Sequence, residues 1–224
     1  MSGRTRGGFE PTGISADRRA TFEASPGPKA ARTRARLLEA ARVVFARHGY
    51  IDTTVELVVA EAGLARGSFY TYFESKAELF RHLAAVIDAD IDQEVVKFDR
   101  RHDGDIIDNL KLSNRNYLSV VRRHADLYRL VEQVAAHDPD VGKARLRSRQ
   151  SHIARVARSI RRWQANDLAD PDIDPTITAA VLVAMISGFA QWQFVAGDTY
   201  NENEAVETLT NIWVRACGLR SERR

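Results

Sequence analysis

Arg66, Ser68, Tyr70, Thr71 and Tyr72 fall within positions 66–72, with Phe69 and Phe73 set among them four residues apart. On a helix that spacing puts the two phenylalanines on one face and leaves hydrogen-bonding tips on the rest. The guanidinium, hydroxyls and phenols offered here donate to and accept from base edges and phosphates, and a helix so decorated suits the DNA major groove. The plainer alternative, a polar surface helix, has to be weighed against the elements around it.

Those elements outline a helix-turn-helix. Thr53, with Glu56 three residues on, has the pattern of a capping box and predicts a helix start. Val55, Val58, Val59 and Ala62 then face inward, Gly63 permits a sharp turn, and Leu64 plugs the space between two short helices. Ala65 stands where the second of them needs a cap and cannot supply one from its side chain. Ser75 with Glu78 forms a second capping box, opening a helix that runs through Leu79, Leu83, Val86, Ile87 and Ile91 to about position 98. Upstream, Leu37, Ala40, Ala41, Val44 and Phe45 recur at helical steps within 31–48, and Gly49 ends that helix. Between positions 29 and 49, Lys29, Arg32, Arg34, Arg36, Arg42 and Arg47 face the single acid Glu39. A basic stripe beside a helix-turn-helix is an electrostatic footprint for phosphate.

The whole chain carries a weaker signal. Its 224 residues are 44% hydrophobic and 28% charged, which is globular, and the net charge of +3 is too small to imply nucleic acid alone. Cys217 is the single cysteine, so no intramolecular disulfide forms. The six histidines show no metal-ligand spacing, and no Gly-rich phosphate loop or nucleophile motif occurs. The reading is therefore no enzyme, no metal and no cofactor. Positions 1–28 read as a disordered basic leader, with Arg4, Arg6, Arg18 and Arg19, and show no signal-like apolar stretch.

Helices are expected at 106–123, over a short stretch ending near 137, and at 141–166, 175–195 and 202–217, with no strand pattern. The 141–166 helix carries a basic face, including Arg145 and Arg155, that reads as solvated. From 175 to 197 no charge occurs, roughly the length of a membrane span. Its proline, glutamines and many alanines favour a helix buried between protein layers instead, hence no membrane and a cytoplasmic protein.

The residues His48-Gly49-Tyr50, Thr53-Thr54-Val55, Ala62-Gly63-Leu64, Gly67 to Phe73 and Ser75-Lys76 resemble the N-terminal domain of TetR/AcrR-family transcriptional regulators. The resemblance covers about 35–83. It implies an all-α fold of about nine helices: an N-terminal three-helix helix-turn-helix domain over 29–80 and a larger effector-binding and dimerisation domain over 81–220. Two departures are Ala65, where a serine cap is common, and Tyr72, where histidine is common. The resemblance also implies roles. Arg66, Gly67 and Ser68 approach base edges. Tyr70, Tyr72 and Lys76 hold phosphates, Thr53 and Thr54 add backbone contacts, and Thr71 is a further DNA-binding candidate.

A homodimer is implied too, with the small-residue helices 175–195 and 202–217 as its candidates. The expected function is a repressor released from a palindromic double-stranded DNA operator by a hydrophobic small molecule. Tyr117, Val121, Tyr128, Val131, Ile153, Trp163, Met185, Phe189 and Trp192 are the candidate pocket. The rival is a DNA-binding protein of the same fold that takes no small ligand and answers to a protein partner or organises the chromosome.

Overall fold

The computed structural model describes residues 27–99 and 105–220, with side chains for 27–95 and 105–220. The expected 1–28 leader, with its four arginines, lies outside the described residues except for its last two positions. Among the described residues nine helices follow one another and no strand occurs. They are α1 (Pro28–Asp52), α2 (Val55–Glu61), α3 (Arg66–Tyr72), α4 (Lys76–Asp99), α5 (Ile106–Arg123), α6 (Ala125–Ala135), α7 (Pro139–Ala165), α8 (Pro175–Gln191) and α9 (Glu202–Cys217). A π-helical turn, Trp192–Ala196, carries on from α8 where an unbroken α-helix to 195 was expected.

The first four helices are built around aromatic rings. Gly49 takes φ 72° and breaks the regular path of α1, a conformation that costs any residue with a Cβ. The chain then turns Tyr50 onto Phe45, with centroids 5.8 Å apart, and onto Phe80 at 5.0 Å. Phe45 meets Phe80 edge-on at 5.3 Å. Leu37, Val44, Val58, Phe69, Phe73 and Leu79 complete a fully buried unit joining α1, α2, α3 and α4.

That core does not stop at position 80. It continues through Leu118, Val121, Leu127, Tyr128 and Val131 of α5 and α6, and α6 also rests on α1. The expected division between 80 and 81 thus falls inside α4, which is one continuous helix. A second cluster, around Leu110, Ala157, Ile160, Ala179, Leu182 and Trp213, holds α5, α7, α8 and α9 together.

α4 meets the C-terminal helices through a row of acids. Ser148 donates to Asp88 at 2.6 Å, His124 Nε2 lies 2.8 Å from Asp90, Arg155 pairs with Asp92 at 2.5 Å, and Arg123 pairs with Glu94. The solvated basic face expected for α7 is corrected at two positions. Arg155 turns inward onto Asp92, and Arg145 donates to Glu132 at 2.7 Å and to the Tyr128 hydroxyl at 2.5 Å. His152 sits beside Arg155 and Asp92, and burial first, then the Arg155 charge, lowers its pKa.

Candidate nucleic-acid interface

Thr54, one residue later than expected, caps α2: its Oγ1 accepts from the Leu57 N–H at 3.3 Å. Thr53 is only 1% exposed and its hydroxyl donates to the Gly49 carbonyl at 2.6 Å. The Thr53/Glu56 capping box is therefore corrected, and the Thr53 side chain is buried and turned back onto the end of α1. At the far end of α2, Gly63 takes φ 61° and Arg36 donates to the Ala62 carbonyl at 2.6 Å. That guanidinium closes the turn. Arg34 is likewise tied down, donating to His82 Nδ1 at 2.9 Å with its guanidinium 5.5 Å from the Phe73 ring centre. Part of the basic stripe of α1 thus braces the two short helices.

α3 opens at Arg66 behind an extended Ala65, with no side-chain cap. Phe69 and Phe73 are fully buried and fix its inner face. Arg66, Gly67 and Tyr70 are exposed, and Ser68, Thr71 and Tyr72 are partly exposed. Tyr72 packs against the core, while the Thr71 hydroxyl donates back to the Gly67 carbonyl at 3.3 Å. A Cβ at Gly67 would meet nothing within 4 Å. The chain's own packing does not require glycine there, although glycine costs helix stability. Close approach by an outside partner is what its absent side chain permits.

Arg66 is held on two sides. Its Nε lies 3.1 Å from Glu56 Oε1, and its guanidinium carbon is 5.9 Å from the Tyr70 ring centre. Hydrogen bonding with Tyr70, then the Glu56 charge, favours its protonated form. Glu56 was not among the expected site residues. The signal for it lies in the turn, which brings the first turn of α2 beside the first residue of α3.

Lys76 is placed differently from the phosphate holder expected of it. Its Nζ donates to the carbonyls of Tyr50 at 2.7 Å, Ile51 at 3.1 Å and Thr53 at 2.7 Å, and sits 4.6 Å from the Tyr50 ring centre. An ammonium has three N–H donors, and all three are taken. Lys76 clasps the end of α1 to the start of α4, and burial lowers its pKa. The Ser75/Glu78 pattern does cap α4: Ser75 Oγ accepts from the Glu78 N–H at 3.1 Å, while the Glu78 carboxylate accepts from the Glu74 N–H.

The nine candidate pocket residues are shared between the two cores and a groove. Val121, Tyr128 and Val131 are buried in the first core with Tyr117 against it, and Ile153 and Trp163 pack on the second. Arg145 and Glu132 take up the space beside Tyr128. Met185 and Phe189 pack against the first core too, on the side where they meet Trp192. All three line a groove of about 540 Å³ between α8 and α9, with Tyr200, Leu209 and Ile212.

One face of α8 is open. Ile177, Val181 and Trp192 are 67%, 62% and 60% exposed, while Ala179, Leu182, Ile186 and Ala190 on its other side are buried. With its π turn, Pro175–Ala196 is, among the described residues, the one stretch long and apolar enough to cross a membrane by length and composition.

Residues 37–83 match the family described as bacterial regulatory proteins, tetR family, and residues 110–214 match the AefR-like transcriptional repressor C-terminal domain. An uncharacterized HTH-type transcriptional regulator of Bacillus subtilis, YfiR, is 42% identical over 66 residues, 30% of this chain and 31% of that protein. The probable acrEF/envCD operon repressor of Escherichia coli is 38% identical over 55 residues, 25% of each chain. The matched stretch thus spans about a third or less of these relatives' length. In fold, the chain is similar to SmeT, the repressor of the Stenotrophomonas maltophilia multidrug efflux pump SmeDEF. The TM-score is 0.68 at 20% identity, over 82% of this chain and 89% of that one.

Proposed function

The chain belongs to the TetR family of bacterial regulatory proteins, and on that premise we propose a homodimeric, cytoplasmic repressor that grips a palindromic operator with α3 and releases it when a hydrophobic small molecule binds. A DNA-binding transcriptional regulator of this family is a transcription factor, not an enzyme. The observation that carries the operator reading is the surface of α3. Arg66, Gly67 and Tyr70 are exposed on a helix whose opposite face is locked by Phe69 and Phe73.

In this reading Arg66 pairs with a guanine, and Gly67 and Ser68 let the backbone come near the bases. Tyr70, Thr71, Tyr72 and the exposed Thr54 meet sugar and phosphate. Lys76 acts through position: it fixes the α1–α4 joint from which α3 projects. Arg66→Ala is expected to weaken binding to a selected operator by about 1–3 kcal/mol and to relax base choice at one position of each half-site. Gel shifts on operators selected from a random duplex library check this. Equal loss on operator and random DNA would remove Arg66 from base reading.

The second half of the proposal rests on α8 and α9. Ile177, Val181, Ala184, Gly188 and Trp192 recur at helical steps along an uncharged face that includes small residues. A large exposed apolar patch marks an interaction surface, and in a C2 dimer one patch meets its own copy. The groove at Met185, Phe189 and Trp192 adjoins that face and has the size small ligands occupy. A hydrophobic molecule seated there changes the angle between protomers, and with it the spacing of the two α3 helices. A screen of hydrophobic compounds, read by Trp192 fluorescence and operator affinity together, tests this. Binding that leaves operator affinity unchanged would defeat the release mechanism.

A further inference from the structure

Glu56 and Arg66 form an ion pair on the surface proposed to face DNA, with side chains 57% and 66% exposed. Exposed pairs of this kind contribute little to stability. A carboxylate on a DNA-facing surface also costs affinity, because phosphates repel it at every sequence. The pair therefore calls for an account in terms of recognition, and the geometry supplies one.

A guanidinium carries five N–H donors in a rigid fork. Here the Nε side is taken by Glu56 Oε1 at 3.1 Å, and Tyr70 lies alongside with its ring centre 5.9 Å from the guanidinium carbon. Hydrogen bonding with Tyr70 takes one N–H of a terminal nitrogen, and the three donors that remain are on the two terminal nitrogens. A parallel pair of donors matches the O6 and N7 acceptors of guanine. The neighbouring carboxylate also neutralises the charge that would otherwise draw Arg66 onto any nearby phosphate.

We infer that Glu56 is a specificity-determining residue: it holds Arg66 by Nε so that the guanidinium gains little from phosphate and binds well only against a guanine edge. The inference rests on the reading of α3 as the base-reading helix. Glu56 acts through Arg66, so it is a positioning residue. It also sits in the first turn of α2, where an acid favours the helix dipole whatever lies outside. The test has to separate the two roles.

Dissociation constants are measured for wild type, E56Q and E56D on an operator selected from a random duplex library, on single guanine replacements in its half-site, and on random duplex, over a range of salt. E56Q is expected to bind random duplex more tightly, with a salt slope steeper by about one, since it frees one cation for phosphate. Its operator-to-random ratio is expected to fall about tenfold, the worth of a well-placed bidentate contact. E56D keeps the charge and the dipole partner but ends one carbon short of Arg66. Its melting temperature is expected to stay at the wild-type value while the ratio falls.

An unchanged ratio in both variants overturns the inference and leaves base reading by Arg66 standing. A uniform loss on all duplexes together with a lower melting temperature also overturns it, in favour of the helix-dipole role. A wild type with no preference for any selected sequence overturns both the inference and the reading beneath it.

Discussion

Val181→Asp is expected to turn the protein into a monomer and to lower operator affinity by about a hundred-fold or more, the factor lost when two linked binding events become one. The position itself is the reason. Val181 is 62% exposed, between Ile177 and Ala184 on the open face of α8, so the isolated chain places no other group against most of it. An aspartate there costs the monomer's own fold little. In the proposed dimer the twofold axis doubles every change on the interface, and two carboxylates would enter an apolar seam that has no charge on α8 to pair them. Sedimentation at micromolar protein gives the oligomeric state, and a melting curve shows that the fold is kept. A variant that remains dimeric and binds its operator as wild type does would move the interface to another face.

The periodic positions are legible in the amino-acid sequence. Leu37, Ala41, Val44 and Phe45 are buried because a three-helix unit of this size has one interior, and a stripe at helical spacing has no other side to face. Phe69 and Phe73 follow the same rule, and Ser75 caps α4 because a cap is a local bond between residues three apart. Other features depend on residues distant along the chain. Thr53 and Thr54 are chemically equal candidates for one cap. Thr54 takes it because the Thr53 hydroxyl turns back to Gly49 while the Thr53 carbonyl is held by Lys76, 23 positions on.

Arg145 and Arg155 read as solvated because arginines on a long helix usually are. Arg155 finds its partner at Asp92, 63 positions earlier on α4, and no pattern within α7 announces it. The expected pocket is hard to read from the sequence for a related reason. Its aromatic and aliphatic residues come from several helices and share no common period, and whether they line a hollow or fill a core is settled by the space between helices. Around Tyr128 that space is taken by Arg145 and Glu132. For Glu56 the turn is the one signal, because its partner lies across it and ion pairs of that kind have no fixed spacing.

Phe80→Ala is expected to cost about 3–5 kcal/mol of stability, the range for removing a buried ring whose surroundings cannot fully collapse. Phe80 is fully buried. Its ring meets Phe45 of α1 at 5.3 Å and Tyr50 at 5.0 Å, so it bridges the helix that opens the DNA-binding domain and the helix that leaves it. Deleting it strips contacts from both neighbours, and Tyr50 also carries the Lys76 ammonium on its face. The clasp between α1 and α4 should loosen with it, so the loss spreads to the base from which α3 projects. Urea unfolding followed by circular dichroism checks the figure, and a loss under about 1 kcal/mol would mean the cavity closes without strain. The comparison with Arg66→Ala is the informative one. Arg66 is exposed, and removing it should leave the unfolding midpoint unchanged while flattening the choice among operators. Phe80→Ala should do the reverse: molecules that remain folded keep their ratio of operator to random binding, because the side chains proposed to meet the bases are untouched. Opposite outcomes on the two measurements would separate the residues that build the reading surface from the residue that reads.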